Sequence, residues 1–227
     1  MLECDQCPVR NRAACASLSQ EDRQELARAG RTVTLARGET LFAAGESNER
    51  CATLISGALK VSQVDASGDE HMLALIHPAG FIGELFTPFA THDVTALTES
   101  RLCVFSRSQL NRTMTEHPEL AQALLQRAQA DVHSARNLLA LSNRRSAQSQ
   151  VAGLVLALGH AASDSPCHSA AQFDLPLTRG EMAELLGLTI ETVSRQLSAL
   201  ETKGLLRRKG SRGIELTEPK RLAELAA

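Results

Sequence analysis

Three cysteines near the start of the chain, Cys4, Cys7 and Cys15, have a C-x2-C-x7-C spacing, and Cys103 lies far downstream. This spacing allows several thiolates to converge on one metal centre. Four thiolates are the usual ligands of a [4Fe–4S] cluster and equally of a structural zinc ion. The cysteines therefore predict a metal centre and leave the metal open.

The two other cysteines indicate no chemistry of their own. Cys51 lies in a strand-like run, CATLI, and we expect it to be a buried small apolar residue. Cys167 lies beside His168 in a polar stretch that we expect to be a loop carrying a free thiol. The remaining histidines are scattered without the spacing of metal ligands.

Two predicted helices surround a glycine turn in the last third of the chain. Thr178 and Glu181 form the capping-box pattern at the start of the first helix, and Gly187 ends it. Thr189 caps a second helix, predicted over 190–203. Two helices around such a turn are typical of a helix-turn-helix, whose second helix lies in the major groove of DNA.

The pattern of the second helix indicates which side chains reach DNA. Its apolar residues are expected to face the domain core: Ile190, Val193, Leu197 and Leu200. Polar residues near its start then project outward, where arginine pairs with guanine and glutamate accepts from cytosine. A basic run follows, and in a wing hairpin it would meet phosphates: Lys203, Arg207, Arg208, Lys209 and Arg212. The predicted DNA contacts are Thr178, Arg179, Thr189, Glu191, Thr192, Ser194, Arg195 and Lys209.

The elements before this motif change character twice. A short helix is predicted from Ser19 to Gly30. Between residues 31 and 107, short β-type runs such as ATLIS and RLCVFS are separated by glycine turns. Strands at this spacing predict a small β-barrel or jelly roll. A long helix of about 24 residues, roughly 36 Å, then starts at Pro118 and is followed by a second helix over 146–160.

The long helix carries a narrow apolar stripe with gaps of three and four residues. Because the helix lies between two domains, this stripe predicts a helix–helix seam in a homodimer. The expected interface residues are Leu124, Ala128, Val132, Ala135 and Leu139.

Composition restricts the partners. A net charge of −2 excludes a protein that is basic overall but permits a local DNA-binding patch. No run approaches the ~18 apolar residues of a membrane span. Cys4 follows the start so closely that we expect no secretory signal, and hence a reducing cytoplasm in which cysteines are ligands rather than disulfides. We find no nucleophile elbow, phosphate loop or paired-carboxylate motif, so we expect no enzyme.

Nearly the whole chain resembles the cyclic-AMP receptor protein superfamily, and specifically its FNR-type members. GETLFAAGE (38–46), LISGALKV (54–61) and GFIGE (80–84) are similar to the turns of the family's sensory β-roll. ETVSR (191–195) matches the E-x-x-S-R of the FNR reading helix. The four cysteines match the family's cluster ligands by position, with the seven-residue gap of its alphaproteobacterial members.

This resemblance implies an α+β fold in four parts. They are a cysteine-rich tip (1–18), a cyclic-nucleotide-binding-like sensory β-roll (19–117), a dimerisation helix (118–145) and a winged helix-turn-helix (146–227). It also implies an oxygen-labile [4Fe–4S] cluster whose integrity favours the dimer. The implied partners are RNA polymerase and inverted repeats of the TTGAT-N4-ATCAA type, read by the residues matching E-x-x-S-R: Glu191, Ser194 and Arg195.

Three alternatives remain. A nucleotide-gated member of the superfamily is disfavoured, because FTPFATHDVTALTES after the Gly83-Glu84-Leu85 turn contains no Arg or Lys to compensate an anion. A haem-based nitric-oxide sensor of this fold would leave the four cysteines unexplained. An iron–sulfur electron carrier or a zinc protein of another class is the third.

Overall fold

The computed structural model describes residues 4–144, 146–163 and 168–227. Cys167 lies outside the described residues. The chain divides into two compact units, Met1–Ala135 and Arg136–Ala227, which are described separately. Within the described residues, no helix is both long and apolar enough to cross a membrane.

The first unit begins with two short 3-10 turns, Cys4–Gln6 and Ala14–Ser17, followed by helix α1 (Gln20–Ala29). Ser19 caps α1 as predicted, because its hydroxyl accepts a hydrogen bond from the Asp22 backbone N–H. Gly30 ends this helix and leads directly into the β region.

Eight strands follow, and every strand pair between them is antiparallel. Their bounds are β1 (Arg31–Leu35), β2 (Thr40–Phe42), β3 (Arg50–Ser56), β4 (Leu59–Val64), β5 (Glu70–Ile76), β6 (Phe81–Ile82), β7 (Asp93–Ala96) and β8 (Ser100–Ser106). They form two four-stranded sheets with the orders β1-β8-β3-β6 and β2-β7-β4-β5. Side chains from both sheets form one apolar core, which confirms the predicted jelly roll.

The two faces of the first sheet belong to different cores. Because successive side chains of a strand alternate in direction, Leu102 and Val104 of β8 enter the core between the sheets. Cys103 and Phe105 of the same strand belong to a second apolar cluster on the outer face. That cluster also contains Leu26 of α1, so it joins the sheet to the helices.

Two helices complete this part of the chain. Helix α2 (Arg107–Glu116), capped by Ser106, was not predicted because its sequence has few apolar residues; its buried residue is Leu110. Helix α3 (Pro118–Ser142) confirms the predicted long helix and starts with proline at a position where no intrahelical N–H is needed.

The second unit is a winged helix-turn-helix. Its elements are α4 (Ala147–Ala161), β9 (Gln172–Asp174), α5 (Arg179–Leu186), α6 (Ile190–Thr202), β10 (Leu206–Lys209), β11 (Gly213–Leu216) and α7 (Pro219–Ala226). The strands form one antiparallel sheet in the order β10-β11-β9. Gly187 adopts the left-handed conformation, φ 64°, that the predicted turn requires. Helix α7, which was not predicted, packs on α4 through the buried Leu222.

Candidate thiol site and DNA-binding surface

The four predicted ligand cysteines line one cavity of about 40 Å³. Cys4 and Cys15 lie in the two 3-10 turns, Cys7 between them, and Cys103 on β8. The remaining wall is mostly apolar and comes from the tip, α1, β3 and β8: Val9, Leu26, Ala27, Thr53, Ile55 and Phe105. The structure therefore brings together thiols that are about 90 residues apart in sequence.

Local contacts shape the cysteine-rich tip. The backbone N–H groups of Arg12 and Ala13 both donate to the Val9 carbonyl at 2.9 Å, which forms a compact turn between Cys7 and Cys15. Val9 and Ala13 are buried against Ala79 of the β-roll. Two small apolar residues thus attach the tip to the roll without any disulfide.

Burial raises the pKa of the Cys15 thiol to about 11 and that of Cys103 to about 12. In both cases the neighbouring thiols raise the pKa further, because several thiolates in one apolar cavity repel one another. The pKa of Cys4 is also raised, chiefly by burial. The raised pKa values of Cys4, Cys15 and Cys103 favour their protonated thiols, so a metal group that binds them must displace protons.

The donor set fits a thiolate-ligated metal group in type and number. In the described parts of the chain, no three or more Cys, His, Asp or Glu side chains are arranged to hold a metal ion. The four thiols thus share one cavity wall without converging on a single ion-binding point.

Two arginines, Arg10 and Arg23, line the same cavity, and its lining contains no carboxylate. Arg10 donates to the Asp5 carbonyl, and Arg23 Nη2 donates to the Leu18 carbonyl at 3.0 Å. Arg23 lowers the pKa of Cys4 and Cys15, although burial outweighs it. The charged groups at this cavity wall are cationic and therefore suit an anionic occupant.

Cys51 is buried as predicted. It is 0% exposed on β3, and its thiol donates to the Phe105 carbonyl at 3.7 Å. It does not line the thiol cavity.

The predicted DNA-reading helix, α6, presents polar side chains at its first turns. Thr189 caps it by accepting from the Thr192 backbone N–H at 3.2 Å. Glu191 and Arg195 are exposed, and Ser194 is half-buried. Hydrogen bonds from its own backbone N–H and from the Thr189 side chain lower the pKa of Glu191, so this side chain is an anionic acceptor at neutral pH.

The core prediction for α6 is confirmed for Val193, Leu197 and Leu200, each 0% exposed. It is wrong for Ile190, which is 53% exposed. Ile190 is the first residue of the helix and lies near Gly180, which offers no side chain to cover it.

The capping box at the start of α5 is present as predicted. Thr178 accepts from the Glu181 N–H at 3.2 Å, and the Thr178 N–H donates to the Glu181 carboxylate at 2.6 Å. Arg179 is half-buried next to this cap. Burial, and then the nearby cation Arg208, lower the pKa of Arg179, so two guanidinium groups approach each other beside α6.

The basic wing is paired with acidic residues that the sequence reasoning did not assign. Lys209 Nζ and Arg207 Nη1 each lie 3.3 Å from Glu215 Oε2. Arg208 Nη2 lies 2.6 Å from Glu201 Oε2. The Arg207–Glu215 pair could have been predicted from the sequence, because the register of the β10–β11 hairpin places these two residues opposite each other.

The apolar stripe of α3 differs from the prediction at one position. Leu124 is buried in the cluster that contains Cys103, so it packs within its own protomer. The neighbouring Leu125 is 71% exposed, and Val132 and Leu139 are 48% and 66% exposed. Ala128 and Ala135 occupy the intervening positions of this seven-residue repeat.

The β-roll contains a second cavity of about 210 Å³ between β5, β6 and α3. Its charged or titratable lining residues are Glu84, His92 and Asp131, and its lining includes no Arg or Lys. Glu84 accepts from the Thr87 hydroxyl at 2.9 Å. This lining provides no permanent cation for a phosphate group.

Comparison with known proteins places these features in a family. The cyclic nucleotide-binding domain model matches residues 32–117, and the Crp-like helix-turn-helix domain model matches residues 149–225. Transcriptional activator protein FnrL of Cereibacter sphaeroides is 33% identical over 226 residues, covering 98% of this chain and 91% of that protein. Nitrogen fixation regulation protein FixK of Bradyrhizobium diazoefficiens is 29% identical, covering 99% and 94%.

Among solved structures, FixK2 from Bradyrhizobium japonicum superposes with a TM-score of 0.77 at 25% identity, covering 87% of this chain and 98% of that chain. A β-roll, a long helix and a winged helix-turn-helix define a DNA-binding transcriptional regulator. The chain belongs to the CRP/FNR family, among its FNR- and FixK-type regulators.

Proposed function

We propose that this regulator responds to oxygen through a [4Fe–4S] cluster held by Cys4, Cys7, Cys15 and Cys103. The observation that carries the proposal is the meeting of these four thiols at one mostly apolar cavity, whose charged lining residues are the two arginines Arg10 and Arg23. When bound, the cluster supplies an anionic, oxygen-sensitive group. FnrL, which is similar over nearly the full chain, is a transcriptional activator, and we propose the same activity here.

The chain links this cavity to the proposed dimer helix by direct packing. Cys15 and Cys103 pack against the same apolar cluster that contains Leu120 and Leu124 of α3. A metal group held by the four thiols would join the tip to β8 beside the surface on which α3 rests. This contact supports control of dimerisation by the cluster.

The exposed stripe on α3 is the proposed homodimer interface. Its residues are the exposed Leu125, Ala128, Val132 and Leu139, with the half-buried Ala135 between them. Asp131 lies beside the stripe and is paired with Arg127 at 3.4 Å, so its charge is partly compensated in the protomer. Two helices joined along such a stripe would present two reading helices, as an inverted repeat requires.

We propose that α6 reads the inverted repeat TTGAT-N4-ATCAA through Glu191, Ser194 and Arg195. Arg195 is exposed and has no ion pair among the described residues, which leaves its guanidinium available for guanine. The contacts to the DNA backbone would come from the two helix caps Thr178 and Thr189, from Thr192 of α6 itself, and from Arg179 and Lys209 on neighbouring elements. RNA polymerase is the expected protein partner of an activator bound at such sites.

We propose that the β-roll does not bind a cyclic nucleotide. The carboxylates of Glu84 and Asp131 at its cavity would repel the ligand's phosphate, and no Arg or Lys of the lining opposes them.

The test is anaerobic purification followed by visible spectroscopy near ~400 nm, where iron–sulfur clusters absorb, with iron and sulfide analysis. We expect about four iron atoms per chain together with sulfide, and this iron should depend on the four cysteines. The protein should also retard the inverted repeat in a gel. Air exposure should abolish both the absorbance and the retardation. Zinc without sulfide would overturn the cluster, and a cluster without DNA retardation would favour an electron carrier.

A further inference from the structure

Arg23 of α1 is placed at the thiol cavity by the fold. Its side chain lines the cavity, and its Nη2 donates to the Leu18 carbonyl at 3.0 Å, which fixes the guanidinium from one side. The Cys4 thiol in turn donates to the Arg23 carbonyl at 3.6 Å, so both the backbone and the side chain of this residue adjoin the cysteines.

The Nε atom of Arg23 is buried and has no hydrogen-bond partner among the described residues. A buried N–H without an acceptor is unfavourable by about 1–3 kcal/mol, more when the group is charged, so such a donor calls for a partner. The cavity lining contains no carboxylate, and its side-chain acceptors are four cysteine sulfur atoms and the hydroxyl of Thr53.

We propose that Arg23 is a positioning residue for the metal group, supplying a positive charge and an N–H donor to its thiolate-ligated, anionic side. This inference rests on the proposed function, since it assumes that the four cysteines bind a cluster. Net charge and hydrogen bonds to sulfur set the reduction potential of such clusters. A cation at the wall stabilises the more negative, reduced state, and it also opposes release of iron.

Arg10 lines the cavity too but does not fill this role. Arg10 is exposed, and its guanidinium donates a hydrogen bond to the Asp5 carbonyl. Water screens an exposed charge more than a half-buried one, so Arg23, whose Nε atom is buried, has the larger effect on the cavity.

Three substitutions of Arg23 distinguish the contributions of its positive charge, its hydrogen-bond donor and its side-chain volume. Arg23→Lys keeps the charge, Arg23→Gln keeps a neutral donor, and Arg23→Met keeps only the stem. Arg28→Met is the matched control, because Arg28 is an exposed arginine of the same helix and does not line the cavity. Circular dichroism and thermal unfolding of each metal-free protein establish that it folds.

The readouts are the midpoint potential in an anaerobic dye-mediated titration and the rate of iron transfer to a ferrous chelator under argon. We expect Arg23→Met to shift the redox equilibrium about tenfold towards the oxidised state, which is ~59 mV for a one-electron couple. We expect its iron release to accelerate about tenfold, as for loss of one hydrogen bond to a charged group. Arg23→Lys should have a midpoint potential and an iron-release rate close to those of the wild type. Arg23→Gln should have values between those of Arg23→Lys and Arg23→Met.

Equal potentials and release rates in wild type, Arg23→Met and Arg28→Met would overturn the role of Arg23 while leaving the cluster intact. Absence of iron and sulfide from reconstituted wild type would instead overturn the proposed function. The two failures are therefore distinct.

Discussion

Cys103 lies directly opposite Thr53 in the antiparallel β3–β8 pair, and both side chains line the thiol cavity. Cys103 also pairs with Thr32 of β1 on its other side, so it is held on an inner strand of the sheet. The other three cysteines lie in short turns outside the sheet. One thiol of the cavity thus comes from an inner strand of the sheet, and three come from the tip that packs against it.

Replacement of Cys103 tests the ligand set. We expect Cys103→Ser to reduce bound iron and sulfide after anaerobic reconstitution to near background, because three thiolates cannot complete the usual four-cysteine ligation. Cys51→Ala is the control, since Cys51 lies on the neighbouring strand but outside the cavity. Equal iron loss in both variants would contradict the specific role of Cys103.

Arg195→Ala tests base reading by α6. Loss of a bidentate arginine–guanine contact is worth about 1–3 kcal/mol at each half-site, hence about 2–6 kcal/mol for the two subunits, so affinity for the inverted repeat should fall about 30-fold or more. Fluorescence anisotropy with the repeat and with a scrambled duplex measures this loss. Arg221→Ala, which removes an exposed arginine of α7, should leave the preference for the repeat unchanged.

Glu215→Gln should strengthen DNA binding. This substitution releases Lys209 and Arg207 from the carboxylate that lies 3.3 Å from both, so the wing can neutralise one or two more phosphates. The slope of log K against log salt should steepen by about 1–2. Glu218→Gln removes the same charge outside the hairpin, and an equal gain there would show that only net charge matters.

Leu125→Glu tests the revised dimer stripe. Opposed carboxylates along a symmetric seam cost several kcal/mol, so the dimer dissociation constant should rise about 100-fold or more. Analytical ultracentrifugation of the cluster-loaded protein measures it. Gln126→Glu adds the same charge one residue away and off the stripe, and it should leave the dimer intact.

Much of the fold could be predicted because local signals agreed with the tertiary structure. Capping patterns located α1, α5 and α6, and glycines between short apolar runs located the roll. Helices α2 and α7 were missed because each is short and has few buried apolar residues, so its helical state depends on packing against neighbours.

The site was predictable only in part. The spacing of the tip cysteines suggested a metal centre, and the family resemblance added Cys103. No local pattern could indicate that Arg23 reaches the cavity, because this depends on how α1 packs against the tip and the sheet. Leu124 and Leu125 are adjacent in sequence, so the sequence alone does not indicate which of them is free for a dimer interface. The β-roll decides this by burying Leu124.

The spacing of the exposed residues on α3 determines how two copies would wind. Leu125, Val132 and Leu139 recur every seven residues, whereas an ideal helix drifts by about 20° over that interval. Two α3 helices that keep these leucines and the valine in register must therefore supercoil with a left hand, crossing at about 20°. In the proposed dimer, the handedness of the helix pair would therefore follow from the seven-residue spacing of these three side chains.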